Sequence, residues 1–172
     1  MNKKILKYRV TYLEMNRKPS FDWPKNLKHK LSILLAESFP AWYFLFFYKQ
    51  VGKNYYWTDW LRKSEYEIDE FVNDKNVLLY TLINDGWPVG FYMLDYRKKD
   101  ICDLSFFGLV DEVIGIGLGK YLLQTAILTA WDSRKIEKLT VNTCSLDHKC
   151  AIYLYQKYGF TPVRYKDLEK TV

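Results

Sequence analysis

The chain has 172 residues, enough for one domain with a single substantial core. Apolar residues make up 49% and charged residues 27%, which is ordinary for a soluble globular protein. The net charge of +6 suits an anionic partner such as a nucleic acid, an acidic membrane or a polyphosphate. The basic residues are scattered and form no long basic tract, so we expect no nucleic-acid partner.

The cysteine usage and the hydropathy pattern indicate a cytoplasmic protein without a membrane partner. There is no even disulfide framework and no CxxC pair among Cys102, Cys144 and Cys150. Their spacing around His148 matches no standard zinc pattern, so we expect no metal site. The N-terminus lacks the apolar run of a signal peptide, and the longest nonpolar stretch, Ala41–Tyr48, is too short to span a bilayer.

The first part of the chain predicts one strand followed by helices. A strand is expected over Leu6–Met15, where the apolar residues suit a pleated surface. Two helices are expected, over Asn26–Glu37 and Pro40–Gln50. They are separated before Pro40, because proline disfavours helical geometry in the residue before it. A third helix is predicted to begin at Ser64–Glu67, whose sequence is that of a capping box.

Three strand-like runs follow. Asn76–Asn84 and Pro88–Arg97 flank the dipeptide Asp85–Gly86, which is a strong local signal for a hairpin turn. The first of these runs is apolar on both faces, which favours a position inside the sheet. A third strand is expected over Ile101–Val110.

The last third of the chain alternates helices and strands. A helix is predicted to begin near Gly117, followed by a strand over Lys138–Cys144. A second helix is expected over Asp147–Tyr158, with Asp147 at its N-cap, and a final strand over Phe160–Tyr165. This order predicts an α/β domain, or α+β in some schemes, built around a mixed sheet.

A glycine-rich segment lies between the strand that ends near residue 110 and the helix that follows. Glycines at alternate positions, namely Gly115, Gly117 and Gly119, permit positive φ angles and close approach of a ligand to the backbone. The N-terminus of a helix favours a bound anion, and Lys120 adds a positive charge. The segment therefore predicts a phosphate-binding site.

Two common phosphate-binding motifs do not fit this segment. A dinucleotide fingerprint would need glycine at position 120, where Lys120 stands. A Walker A loop would need glycine at position 114 and Ser or Thr at position 121, where the chain has Ile114 and Tyr121.

Residues 101–163 resemble the core of the GNAT superfamily of acyl-CoA N-acyltransferases. In that family a strand leads into a Q/R-x-x-G-x-G/A loop, a helix, a strand and a second helix that ends in A-x-x-x-Y-x-x-x-G-F. Residues 151–160 match the last string at every fixed position. The upstream order of elements fits the family's N-terminal half, and residues 143–148 are similar to a bacterial branch whose members are uncharacterised.

The resemblance implies a single N-acetyltransferase domain over residues 1–172. We expect a twisted, mixed and mostly antiparallel sheet of six to seven strands flanked by helices. Residues 1–75 would hold the N-terminal strand and the acceptor-side helices, and residues 76–172 the meander and the CoA-binding core. The family's Gln or Arg aligns with Ile114 in the register that we prefer, and with Glu112 in the alternative, so its polar side chain is absent.

The resemblance also implies that acetyl-CoA (coenzyme A) is the cofactor. Two strands are expected to splay apart near Leu109, and a backbone N–H near Phe107 or Leu109 to stabilise the oxyanion. The cofactor-binding residues expected from the resemblance are Phe107, Leu109, Ile114, Gly115, Ile116, Gly117, Leu118, Gly119, Lys120, Thr143, His148 and Tyr155.

The resemblance assigns catalytic roles to three residues. Tyr155 aligns with the family's tyrosine that protonates the departing thiolate, and a phenol with a pKa near ~10 carries its proton at neutral pH. Asp103 falls where some members carry a glutamate that deprotonates the amine. His148 stands where many members have an asparagine that contacts the cofactor, and its pKa also suits a base.

Each of these residues has a structural alternative. Tyr155 would then be a core tyrosine on an amphipathic helix, although the family match favours the catalytic role. Asp103 would be an inward-facing, hydrogen-bonded aspartate or a ligand for a cationic acceptor. His148 would be a first-turn helix residue behind an N-cap at Asp147.

The acceptor is expected on the aromatic segment Phe39–Trp60, which covers the acceptor side of the cleft in the family. Aromatic walls suit an apolar or cationic amine, so Tyr48, Trp57 and Trp60 are predicted to bind a small-molecule or peptide amine. The alternative is that most of these rings belong to the core. A homodimer is one of the assemblies that the resemblance allows.

The sequence thus predicts an acetyl-CoA-dependent N-acetyltransferase that acts on a primary amine by direct attack in a ternary complex. The alternative is a non-catalytic CoA-binding or regulatory module of the same fold. The missing polar residue at Ile114 favours the module, whereas Tyr155 favours the enzyme.

Overall fold

The computed structural model describes residues 5–25 and 30–171. Within these residues the strands are β1 (Ile5–Met15), β2 (Leu31–Ala36), β3 (Val77–Asn84), β4 (Trp87–Asp95), β5 (Ile101–Leu109), β6 (Lys138–Cys144) and β7 (Thr161–Thr171). The α-helices of the same residues are α1 (Ala41–Gly52), α2 (Glu65–Val72), α3 (Leu118–Ser133) and α4 (Ala151–Lys157). Short 3₁₀ turns lie at residues 60–62 and 111–113.

All seven strands join one sheet, in the order β2-β3-β4-β5-β6-β1-β7. Neighbouring strands are antiparallel except β5 and β6, which run parallel. Because parallel neighbours need a crossover connection, the long helix α3 lies between β5 and β6 in the chain. The predicted mixed, mostly antiparallel sheet of six to seven strands flanked by helices is confirmed.

The helix predicted over Asn26–Glu37 is wrong where the structure describes it. Residues 31–36 form the edge strand β2, paired antiparallel with β3 from Leu31↔Asn84 to Ala36↔Leu79. Alternate side chains, Leu31 and Ile33, pack against the core, so pairing with β3 outweighs the local preference of the leucines for a helix. Residues 26–29 lie outside the described residues, and the described part of the first 75 residues contains two strands, where one was predicted.

Two local signals are confirmed in detail. Asp85 and Gly86 both adopt positive φ, 50° and 91°, as a two-residue hairpin turn between β3 and β4 requires. At the start of α2, the Ser64 hydroxyl accepts from the Glu67 backbone N–H, while the Glu67 carboxylate accepts from the Ser64 N–H. This reciprocal pair is the predicted capping box.

The last two elements differ from their predicted bounds. The helix expected from Asp147 begins only at Ala151, with Cys150 at its N-cap, because the Asp147 carboxylate is engaged by the end of β6 instead. The final strand continues to Thr171, well past the predicted end, because it pairs with β1 along its whole length.

The sheet separates two hydrophobic clusters. One lies under α3 and α4 and contains Leu104 and Leu122, both at most 2% exposed. The other lies under α1 and α2 and is rich in aromatic rings, among them Phe44 and Phe47 at 0% exposure. Several aromatics of the segment 39–60 are therefore core residues. None of the helices in the described ranges is long and apolar enough to cross a bilayer.

Helix α1 packs closely on β5 at a glycine, and this contact is testable. A Cβ at Gly108 would lie 2.2 Å from Val51 Cγ1. We expect Gly108→Ala to lower the free energy of unfolding by about 1–3 kcal/mol because it overpacks this contact. Urea unfolding of the double variant with Val51→Ala measures the coupling between the two residues. The loss of unfolding free energy should be smaller than the sum of the losses in the two single variants by at least about 0.5 kcal/mol. Strictly additive losses would contradict this contact.

Candidate active site

Strands β5 and β6 diverge in the middle of the sheet. Their parallel pairing begins at Ile101↔Lys138 and ends at Leu104↔Val141. On the other side, β5 stays paired with β4 up to Leu109, with an irregular register at Ser105. Such a bulge bends a strand and increases its twist, so β5 turns away from β6. The divergence expected near Leu109 therefore begins five residues earlier, directly after Leu104.

The divergence opens a cavity of about 230 Å³ between the two strands. Its walls come from the outer half of β5, the end of β6, the glycine segment and α4. Among the residues that line it are Phe107, Leu109, Ile114, Gly115, Gly119, Thr143, His148 and Tyr155. The structure thus brings eight of the predicted cofactor-binding residues to one cavity.

The glycine segment has the geometry of an anion cradle. Gly115 and Gly117 adopt φ of 93° and 94°, and a Cβ at either position would meet nothing within 4 Å. Gly117 is the N-cap of the 16-residue helix α3 and provides no side-chain cap. The first amides of α3 therefore remain available for a ligand, and the helix dipole favours an anionic one.

Four predicted cofactor residues do not line this cavity with their side chains. Gly117 and Lys120 line a separate surface hollow beside Trp23. Ile116 is 51% exposed, whereas Leu118 is 2% exposed and belongs to the core under α3. Their expected role is therefore confined to the backbone amides and, for Lys120, to an exposed ammonium.

Tyr155 is buried where the cavity meets the core. Its side chain is 6% exposed, and its ring centroid lies 6.0 Å from that of Phe107 and 5.8 Å from that of Phe160. Burial, together with the nearby Asp147 carboxylate, raises the pKa of Tyr155 well above its ordinary value. Its hydroxyl therefore holds a proton at neutral pH while it lines the cavity.

His148 lies at the rim of the same cavity. Its Nδ1 accepts a hydrogen bond from the Cys150 backbone N–H at 3.2 Å. A neutral imidazole that accepts at Nδ1 carries its proton at Nε2. In this arrangement His148 offers a donor, rather than a free lone pair, to the cavity.

Asp103 is not among the residues that line the cavity of Tyr155. It lies in a groove on the opposite sheet face, together with Arg97 and Thr140. Its carboxylate accepts from the hydroxyls of Ser105 at 2.8 Å and Thr140 at 2.5 Å. Ser105 lines the cavity and so connects it to Asp103.

A second cavity of about 330 Å³ opens on the α1 and α2 side of the divergence. The three predicted acceptor residues, Tyr48, Trp57 and Trp60, all line it. Tyr48 is 3% exposed, and burial raises its pKa to about 12. The backbone N–H of Trp60 donates to the Tyr48 hydroxyl at 3.4 Å.

Asp147 lies between the two cavities and lines both of them. Its carboxylate accepts from the Trp57 indole N–H at 3.1 Å, the Thr143 hydroxyl at 2.8 Å and the Cys144 backbone N–H at 2.8 Å. Asp147 is not among the site residues predicted from the sequence, because its place before a helical stretch predicts an N-cap. The available signal was its place just after β6, since ligands of α/β sheets bind beyond the carboxyl ends of strands.

The fold and the cleft together define a protein class. A helix N-terminus without a side-chain cap, a glycine cradle and a diverging pair of parallel strands suit a long ligand with a phosphate at one end. Residues 36–160 match the Acetyltransferase (GNAT) family. The match covers well over half of the chain, and the chain belongs to this family.

Solved structures share this fold at low sequence identity. A functionally unknown protein from Staphylococcus epidermidis has a TM-score of 0.65 at 13% identity, over 96% of this chain and 62% of its own. A GCN5-related N-acetyltransferase from Kribbella flavida has a TM-score of 0.64 at 13% identity, over 95% of this chain and 57% of its own. This chain thus spans less than two thirds of either protein.

A GNAT family acetyltransferase from Elizabethkingia anophelis, with acetyl-CoA bound, has a TM-score of 0.58 at 21% identity. The similarity covers 80% of each chain. At these identities the similarity shows the fold alone. No curated protein matches the chain in sequence.

The glycine cradle gives a testable distinction between strain and binding. We expect Gly117→Ala to cost about 1 kcal/mol of unfolding free energy, because an L-residue is strained at positive φ. It should also weaken acetyl-CoA binding by roughly tenfold, as measured by calorimetry, because the amides of α3 shift.

Gly86→Ala is the matched control. Gly86 has φ of 91° and equally open surroundings, but it lies in the β3–β4 turn. This variant should lose similar stability and keep its acetyl-CoA affinity. Equal affinity losses in both variants would show that the cradle has no specific role.

Proposed function

We propose that the protein is an acetyl-CoA-dependent N-acetyltransferase that acetylates a primary amine by direct attack in a ternary complex. The observation that carries this proposal is the meeting of two cavities at the β5–β6 divergence. One lies beside the glycine cradle and contains Tyr155, and the other has aromatic walls. A donor and an acceptor that enter from opposite sides would meet there.

The described residues fit the acetyl donor. The amides from Ile114 to Lys120 would hold its pyrophosphate, and the unpaired edge of β5 from Ser105 to Leu109 would pair with its pantetheine arm. When bound, acetyl-CoA supplies an activated thioester. A backbone N–H near Phe107 or Leu109 would stabilise the negative charge that develops on the carbonyl oxygen.

Direct attack is supported by the absence of an activated thiol at the acceptor cavity. Cys144 is the cysteine that lines this cavity among the described residues. Burial raises the pKa of its thiol to about 11, so it is protonated and weakly nucleophilic at neutral pH. An acetyl intermediate on Cys144 is therefore disfavoured.

Tyr155 would act as the general acid. As the new N–C bond forms and the C–S bond breaks, the leaving sulfur needs a proton. Tyr155 is protonated at neutral pH, and its hydroxyl proton would move to the sulfur as the C–S bond breaks.

The proton lost by the amine would pass to Asp103 through Ser105. The Ser105 hydroxyl lines both cavities and donates to the Asp103 carboxylate at 2.8 Å. His148 would serve as a hydrogen-bond donor to the cofactor at its exposed Nε2, since Nδ1 is occupied by Cys150. Asp103, which was predicted as the base, would thus receive the proton through Ser105 rather than directly from the amine.

A non-catalytic CoA-binding module is the second candidate, and one observation favours it. Ile114, which replaces the family's polar residue, is 38% exposed and lines the cavity. The side-chain contact that helps to hold the cofactor in relatives is therefore replaced by an apolar one.

A calorimetric titration with acetyl-CoA, followed by thiol release against a panel of amines, separates the candidates. We expect saturable binding and turnover of at least one primary amine. Binding without turnover on any amine, peptide or polyamine would favour the module. Absence of binding would contradict both.

The acid role of Tyr155 predicts a selective loss. Tyr155→Phe should lower kcat by roughly a hundredfold or more, since general acids contribute about 10²–10⁴. Its acetyl-CoA affinity in calorimetry should change little. Tyr158→Phe is the matched control at the C-cap of the same helix, because Tyr158 packs against Phe21 and should keep full activity. Equal losses of kcat and affinity in Tyr155→Phe would indicate a structural role.

The raised pKa of Tyr155 also predicts a pH profile. A general acid works only while it is protonated, so raising its pKa above the ordinary 10.0 moves the loss of activity to higher pH. With an acceptor amine that is uncharged throughout, kcat should hold steady from about pH 8 to 10. A decline centred near pH 10.0 that disappears in Tyr155→Phe would show an unshifted tyrosine.

A further inference from the structure

Given the proposed acetyl transfer, on which this assignment rests, we infer that Asp147 binds the ammonium group of the acceptor. We further infer the class of acceptor: a small primary alkylammonium with an aromatic or apolar body and no anionic group. The observation that carries this inference is geometric: a carboxylate that forms no ion pair with a described residue lies where the two cavities meet.

Asp147 is the charged residue common to both cavities. The other residues that line both are neutral: Tyr55, Trp57, Ser105, Phe106 and Asn142. An amine that enters from the acceptor side must reach the cavity of Tyr155 to attack. Its cationic form therefore passes the Asp147 carboxylate at the junction.

The charge of Asp147 is held in place but not neutralised. Its three hydrogen-bond donors are an indole, a hydroxyl and a backbone amide, all of them uncharged. No described lysine or arginine forms an ion pair with it. By contrast, Asp59 pairs with Lys170 at 2.9 Å and Asp111 with Lys53 at 3.1 Å. A partly buried carboxylate without a counterion attracts a cation.

The remaining charges of the acceptor cavity cancel. Its charged residues are Asp59, Asp147 and Lys170. The Lys170 side chain is 11% exposed and its ammonium is bound by the Asp59 carboxylate and the Tyr56 carbonyl. The cavity therefore carries a net negative charge from Asp147 alone, which disfavours an acceptor with a carboxylate or phosphate.

The walls and the volume define the body of the acceptor. Aromatic rings from Tyr8, Tyr48, Trp57 and Trp60 surround the space. Such rings favour flat apolar groups and cations over strongly hydrated ones. A volume of about 330 Å³ suits a small molecule of a single ring and a short side chain.

Asp147 also lies close to the general acid. Its negative charge contributes to the raised pKa of Tyr155. Before it can attack, the bound ammonium must lose one proton, which would pass to Asp103 through Ser105. The second N–H proton, lost as the amide forms, would go to the Tyr155 phenolate that is left once the sulfur has been protonated.

The test is calorimetric binding of two nearly isosteric probes to the full chain saturated with CoA. Phenethylamine is a cation at neutral pH, whereas O-benzylhydroxylamine is uncharged. We expect wild-type protein to bind phenethylamine at least about tenfold more tightly, and Asp147→Asn to lose this preference. No binding of phenethylamine, equal binding of the probes by wild type, or a preference that survives in Asp147→Asn would overturn the assignment.

Two control variants separate charge from structure. Trp57→Phe removes the indole hydrogen bond but keeps the Asp147 carboxylate, so the preference for the cation should remain. The double variant Asp59→Asn/Lys170→Met removes the neighbouring ion pair without changing the net charge of the cavity, so it should also retain the preference. Loss of the preference in Asp59→Asn/Lys170→Met, with retention in Asp147→Asn, would move the site to Asp59 and refute the assignment.

Phenylalanine tests the exclusion of anionic acceptors, because it is phenethylamine with an added carboxylate. We expect it to bind wild type at least about tenfold more weakly than phenethylamine. Equal affinity would refute the proposed acceptor class. These measurements use CoA and need no turnover, so their failure is distinct from that of acetyl transfer, which the acetyl-CoA titration and thiol release decide.

Discussion

The site depends on the separation of β5 from β6 after Leu104. Two parallel strands must be joined by a crossover, so α3 begins just beyond the end of β5 and presents its free amides there. The irregularity at Ser105 turns β5 away from β6, and the cleft that results is open to both faces of the sheet. The cradle, the buried tyrosine and the aromatic cavity owe their common location to this one break in pairing.

Asp147 joins the two halves of this arrangement. Its hydrogen bonds connect Trp57, in the loop after α1, to the end of β6 at Thr143. The wall of the aromatic cavity is thereby fixed relative to the cavity of Tyr155. The same carboxylate remains without a counterion among the described residues, so a structural connection and a binding charge coincide in one side chain.

The elements that were predicted correctly are those whose cause is local. The turn at Asp85–Gly86 and the cap at Ser64 depend on residues within a few positions of each other. The wrong predictions concern segments whose structure is determined by a partner far away in the sequence. Residues 31–36 are a strand because β3 offers an open edge, and α4 begins late because β6 engages the Asp147 carboxylate.

The sequence by itself determined the family and the positive φ angles of the glycine segment, and it predicted that Tyr155 lies in the same cavity. Spacing along a strand–loop–helix unit fixes which backbone angles and side chains meet there. It could not place Asp103, which faces a groove on the other side of the sheet, or assign Asp147 to the site. Only the tertiary structure decided these, because the contact between Trp57 and Asp147 joins residues 90 positions apart. The end of the β5–β6 pairing after Leu104 has the same origin, since it coincides with a bulge between β4 and β5 that exists only when the sheet is assembled.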